Sequence, residues 1–109
     1  MSSGINPRVR LPERLRKGEV FEIRTVVSHP MESGQRRDAD GRLVRRRILN
    51  RFTCHFGASL VFEAQLEPAV AANPYISFHM RAEESGVLTF AWTDDDGTVH
   101  RLERPITVT

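Results

Sequence analysis

Ile48-Leu-Asn-Arg-Phe-Thr-Cys-His-Phe-Gly-Ala-Ser-Leu-Val-Phe-Glu-Ala-Gln-Leu66 decides the architecture of this 109-residue chain. In its first half Ile48, Phe52, Cys54 and Phe56 fall on one side, and Arg51, Thr53 and His55 on the other. That two-residue period belongs to a strand with one face buried. Gly57-Ala58 follows, a pair suited to a tight hairpin with glycine first. Beyond it Leu60, Phe62, Ala64 and Leu66 alternate with Val61, Glu63 and Gln65. Two antiparallel strands sharing an apolar face need a second layer to cover them.

The rest of the chain supplies that layer in the same style. Residues 8–11 read as a short strand closed by Pro12. Residues 19–28 place Phe21, Ile23, Thr25 and Val27 inward, with Glu22 and Arg24 outward. Ile76, Phe78, Met80 and Ala82 alternate with Ser77, His79 and Arg81. Glu84-Ser85-Gly86 is a turn, and Leu88, Phe90 and Trp92 form the next inward row. Asp96-Gly97 is a strong hairpin signal. Residues 98–108 close the chain with Leu102, Ile106 and Val108 inward, and Pro105 predicts an edge or a bulge there. The reading is all-β: about seven strands in an immunoglobulin-like antiparallel β-sandwich. A flexible tail, 1–6, precedes a single domain, 7–109.

Composition agrees with one folded domain: 39% hydrophobic, 28% charged and a net charge of +2. No apolar run reaches the roughly 20 residues needed to span a bilayer. The polar, arginine-bearing first residues do not read as a signal peptide. One cysteine, Cys54, excludes an intrachain disulfide. All but one of the sixteen basic residues are arginine, the exception being Lys17.

Catalytic chemistry finds little support. Cys54 and His55 are neighbours, but neighbours on a strand point to opposite faces. Cys54 shares the face of Phe52 and Phe56, as a structural thiol does. His29, His55, His79 and His100 stand at no chelating spacing, so no metal site is expected. Asp94-Asp95-Asp96-Gly97 partly imitates a calcium loop, yet strand-like flanks favour a hairpin turn. With no Ser–His–Asp set and no phosphate loop, the chain is read as no enzyme, with no catalytic residue and no cofactor.

Two irregular segments invite an interaction reading instead. The stretch 29–47 begins His29-Pro-Met-Glu-Ser-Gly-Gln-Arg-Arg37. With Arg51 it carries Arg36, Arg37, Arg42, Arg45, Arg46 and Arg47 against Asp38 and Asp40. Loops this long are usually functional or disordered, and Asp40-Gly41 offers a turn for a small hairpin inside it. Arginine clusters can hold nucleic acid. The absence of interleaved aromatics and the low net charge favour a protein-facing or solvated loop. A nucleic-acid module, another protein-interaction β-domain and a thiol enzyme built on Cys54 stand as the alternatives. The second segment, 68–74, carries Ala69, Val70, Ala71 and Ala72 where a loop is normally polar. That suggests burial under the sandwich or against another chain. The candidate partner-interface residues are His29, Met31, Glu32, Arg36, Arg37, Arg45, Arg46, Arg47, Val70, Asn73 and Tyr75. Charge reversal at Arg45, Arg46 and Arg47 is expected to leave the fold intact, as surface charge changes usually cost less than about 0.5 kcal/mol.

Five segments in order carry a family resemblance: His29-Pro-Met-Glu-Ser-Gly-Gln-Arg-Arg37, Ile48-Leu-Asn-Arg-Phe-Thr-Cys54, Val61-Phe-Glu-Ala64, Pro68-Ala-Val-Ala-Ala-Asn-Pro-Tyr-Ile-Ser-Phe78 and Trp92-Thr-Asp-Asp-Asp-Gly97. Together they resemble the SoxZ family over nearly the whole chain from about Pro7. The resemblance implies an immunoglobulin-like subunit that pairs tightly with SoxY in bacterial thiosulfate oxidation. It implies that the sulfur intermediate rides on a Gly-Gly-Cys-Gly-Gly arm of SoxY, which oxidising enzymes visit in turn. It implies work in the periplasm, with SoxY carrying the export signal for both. This chain lacks that arm, so it reads as the scaffold subunit, with no nucleic acid and no membrane among its partners. Alone, it could self-associate as a homodimer through the surface meant for SoxY.

Overall fold

A computed structural model describes residues 6–28, 34–46, 48–66 and 74–109. Eight strands occur among them, and no helix: β1 Asn6–Arg10, β2 Arg14–Leu15, β3 Val20–Ser28, β4 Leu49–Phe56, β5 Ser59–Gln65, β6 Tyr75–Arg81, β7 Gly86–Asp94 and β8 Val99–Val108. They form two sheets, a three-stranded one in the order β1-β3-β6 and a five-stranded one in the order β2-β8-β7-β4-β5. The expected sandwich is present, with one strand more than the seven foreseen. The extra strand, β2, has two residues and runs parallel to the end of β8, pairing Arg14 with Thr107 and Leu15 with Val108. Two residues carry no periodicity, so nothing in the local sequence announces β2.

The inward rows follow the alternation of the sequence. Phe21, Ile23, Thr25 and Val27 of β3 are buried, as are Leu88, Phe90 and Trp92 of β7. Thr25 satisfies its hydroxyl by donating to the Ile76 carbonyl at 2.9 Å. Aromatic rings join the layers. Phe78, from the three-stranded sheet, stacks on Phe62 with centroids 4.4 Å apart and meets Phe52 at 6.2 Å. Phe52 in turn lies 5.2 Å from Trp92. Each such ring contributes on the order of 2–3 kcal/mol by leaving water.

Both tight turns form where glycine permits them. Gly57 (φ 58°) and Gly97 (φ 89°) adopt left-handed backbone that side chains disfavour. Pro105 sits on β8 beyond the reach of β2, so its missing N–H interrupts no ladder on that side.

The inward row expected for β5 needs one correction. Leu60 is exposed, not buried. A bulge explains it: Cys54 pairs with Phe62, but His55 pairs with Leu60, so Val61 is the extra residue. One extra residue exchanges the faces. Leu60 joins His55 on the outside, while Val61 packs against the core. A second irregularity, between Leu49 and Arg51, lets Ile48 and Leu49 both be buried.

Candidate interaction surfaces

The arginine-rich segment is more ordered than its composition suggests. Residues 36–44 form the small hairpin foreseen from Asp40-Gly41, with an antiparallel bridge between Arg37 and Leu43. The Val44 N–H donates to the Arg36 carbonyl at 2.7 Å and the Asp38 N–H to the Arg42 carbonyl at 2.8 Å. The Asp38 carboxylate accepts from the backbone of Asp40 and Arg42 at 2.9 and 3.0 Å, an Asx-type turn. Arg37 donates through Nη1 to the Gly41 carbonyl at 2.8 Å.

Arg46 ties this segment to the β7–β8 turn. Its Nε and Nη2 reach the two carboxylate oxygens of Asp95 at 2.8 and 2.9 Å. Asp95 also accepts from the Ile48 N–H at 3.2 Å and from the Asn50 amide at 2.9 Å. The Arg46 fork and these two donors hold the Asp95 carboxyl down at about 2, against the pull of burial. Arg46 is therefore a structural clamp. Charge reversal at this residue is therefore not the neutral surface change expected from the sequence, because it would remove two of the four hydrogen bonds that Asp95 accepts. Asp94-Asp95-Asp96-Gly97 is a hairpin turn, closed by Gly97 N–H to the Asp94 carbonyl at 2.9 Å and Asp94 N–H to the Thr98 carbonyl at 2.8 Å.

Of the other sequence candidates, Arg36, Arg37 and Arg45 are exposed on the loop, and Tyr75 projects from the outer face of β6 with 59% exposure. The hairpin and Tyr75 belong to separate elements. His29, Met31, Glu32, Arg47, Val70 and Asn73 lie outside the described residues.

Cys54 has no solvent exposure, and burial pushes its thiol up to about 12. It is protonated across the physiological range and unreactive, as its place in the inward row predicted. Among the described residues no group of three or more His, Cys, Asp or Glu side chains could hold a metal ion.

Reasoning from local motifs missed the sheet surfaces themselves. On the outer face of the five-stranded sheet, the cross-strand rows are Leu60–His55–Thr89–Glu103, Glu63–Thr53–Ala91–Arg101 and Gln65–Arg51–Thr93–Val99. Uncharged small side chains fill the middle of this face. Exposed Leu60, Val87 and Val99 surround them. Arg51 and Glu63 pair with each other at the β4–β5 side, Arg101 and Glu103 stand on β8, and Arg14 of β2 adds one positive charge at the far edge, so the charges nearly balance. The signal was present in the outward parity of Thr53, Thr89, Ala91 and Thr93. It shows only when strands distant in sequence are set side by side.

Comparison with known proteins agrees with this architecture. A search of curated proteins finds no significant match. Among solved structures, a superoxide reductase (neelaredoxin) from Ignicoccus hospitalis superposes with a TM-score of 0.75 at 19% identity, over 98% of this chain and 83% of that one. The sulfur carrier protein SoxY from Chlorobium limicola f thiosulfatophilum gives 0.69 at 18% identity, over 99% and 81%. A CARDB domain from Pyrococcus furiosus gives 0.55 at 9% identity, over 95% and 94%. At these identities the likeness is one of fold. The sequence profile of the sulphur oxidation protein SoxZ matches residues 9–104, nearly the whole chain, and the protein belongs to the SoxZ family.

Proposed function

We propose that this chain is the non-catalytic partner subunit of a sulfur-carrier heterodimer, joined to a SoxY-type protein whose cysteine arm holds the sulfur intermediate of thiosulfate oxidation. The observation that carries the reading is the state of Cys54. A covalent carrier needs a thiolate that solvent and enzymes can reach. The one thiol in this sequence is sealed in the core and held protonated. In a sulfur-oxidation family, the sulfur-bearing group then belongs on another chain.

The nearly neutral outer face of the five-stranded sheet is the surface we assign to that partner. Permanent partners bury apolar, charge-depleted surfaces. Exposed Leu60, Val87 and Val99 around Thr53, Thr89 and Ala91 meet that description. The fold shared with SoxY of Chlorobium limicola suits a pairing of two like sandwiches. The compartment proposed is the periplasm, reached by export together with a signal-bearing partner. Without the partner, the same face supports a homodimer.

Co-expression with a SoxY-type subunit ending in Gly-Gly-Cys-Gly-Gly, followed by capture on a tag carried by either chain, tests the reading. A stable one-to-one complex is expected. Recovery of each chain alone would refute it.

A further inference from the structure

We infer that the outer face of the three-stranded sheet is a second docking surface, for an acidic protein partner, distinct from the face assigned to the carrier. The register places Arg8 beside Val26 and Tyr75, Arg10 beside Arg24 and Ser77, Glu22 beside His79, and Val20 beside Arg81. All of these point away from the core. Four arginines stand against one glutamate, an excess of three positive charges on one face of a chain whose whole net charge is +2.

The arrangement works against local stability. Arg10 and Arg24 are direct cross-strand neighbours, and like charges so placed repel. Glu22 answers only part of this, accepting from Arg24 Nε at 2.8 Å. The guanidinium groups of Arg8 and Arg10 have no hydrogen-bond or ion-pair partner among the described residues. Beside them, at the β1 edge, a cleft of about 630 Å³ is lined by Arg10, Arg24 and Arg104 with Glu13 and Glu22. Arg104 comes from the inward row of β8, opposite buried Leu88. Three guanidiniums from three strands thus border one recess against two carboxylates, one of which, Glu22, is already paired with Arg24, leaving an excess of one positive charge there.

A protein surface fits this face better than a polynucleotide. Tyr75 is 59% exposed and Val20 52%, at opposite ends of the arginine rows. Arginine and tyrosine are the residues that anchor protein interfaces. The single aromatic side chain offers no succession of stacking platforms for bases. Opposite charge across a rim mainly speeds encounter, so this contact is a fast, salt-sensitive one. It does not depend on the carrier reading, because the two faces belong to different sheets.

The test is a titration of the full ¹⁵N-labelled chain with a glutamate peptide of about ten residues at low ionic strength. Amide shifts are expected at Arg8, Arg10, Arg24, Arg81 and Tyr75, with affinity falling about tenfold or more between 20 and 200 mM salt, as screening of several charges requires. R10E is expected to abolish the shifts. It should also melt no lower than the parent, because it replaces repulsion with attraction across β1–β3. Absence of saturable shifts, shifts confined to residues 36–46, or tighter binding of a single-stranded DNA decamer at the same residues would each overturn the inference.

Discussion

The two outer faces of this sandwich are built on the same backbone plan and carry opposite chemistry. The five-stranded face has a centre of Thr53, Thr89, Ala91 and Thr93 and, at its sides, charges that nearly balance. The three-stranded face is striped with Arg8, Arg10, Arg24 and Arg81. Both share one aromatic core, in which Phe52 touches rings of both sheets. A nearly neutral, partly apolar face suits a long-lived contact, because its desolvation costs little. A charged face suits a short-lived one, because its attraction acts at a distance and its desolvation cost limits affinity. On the proposed reading, the contrast assigns a permanent partner to one face and a visiting one to the other.

Removing what the faces share should have the largest effect. Phe52→Ala leaves a cavity between Phe62, Phe78, Phe90 and Trp92 and should cost about 3–5 kcal/mol. Chemical denaturation measures this, with both binding activities lost together. Leu60→Arg with Val87→Arg breaks the contrast from one side. Both positions are exposed, so the fold should persist by circular dichroism, while the carrier complex weakens by about 2 kcal/mol or more, as loss of an interface anchor does. Binding of the glutamate peptide should be unchanged.

Arg46→Ala tests the clamp that joins the arginine hairpin to the sandwich. Loss of a bidentate pair to a mostly shielded carboxylate should cost about 1–3 kcal/mol. Its pH dependence has a definite sign. The Asp95 carboxyl is depressed from 3.8 to about 2, so its stabilising contribution is complete above pH 3.8 and is lost as pH falls through about 2. The melting-temperature gap between parent and Arg46→Ala should close over that window. Arg45→Ala, on an exposed side chain next to the clamp, should shift stability by less than about 0.5 kcal/mol. The single substitution R10E should leave the melting temperature no lower than that of the parent while destroying acidic-peptide binding.

Much of this molecule could be read from alternation alone. Phe21, Ile23 and Val27 on β3 and Leu88, Phe90 and Trp92 on β7 lie where a two-residue period puts them. Cys54 was legible as inert for the same reason. Leu60 was not, because a bulge reverses the faces and leaves no mark in composition. The arginine segment was legible as a hairpin through Asp40-Gly41. Arg46 read as free surface because its partner, Asp95, is 49 residues away. The two sheet faces were invisible for a related reason. Arg10 and Arg24, or Thr53 and Ala91, become neighbours only through pairing between strands, and no local window contains both. Family resemblance carried the functional reading further than any local motif did.

On the proposed function, sulfur rides on a partner held by this chain. Native mass spectrometry of the co-expressed pair after incubation with a sulfur donor tests it most directly. A one-to-one complex is expected in which added sulfur mass appears only on the partner, while Cys54 stays unalkylated by iodoacetamide at pH 8 until the protein is denatured. Sulfur mass on this chain, or rapid alkylation of Cys54 in the folded protein, would contradict it.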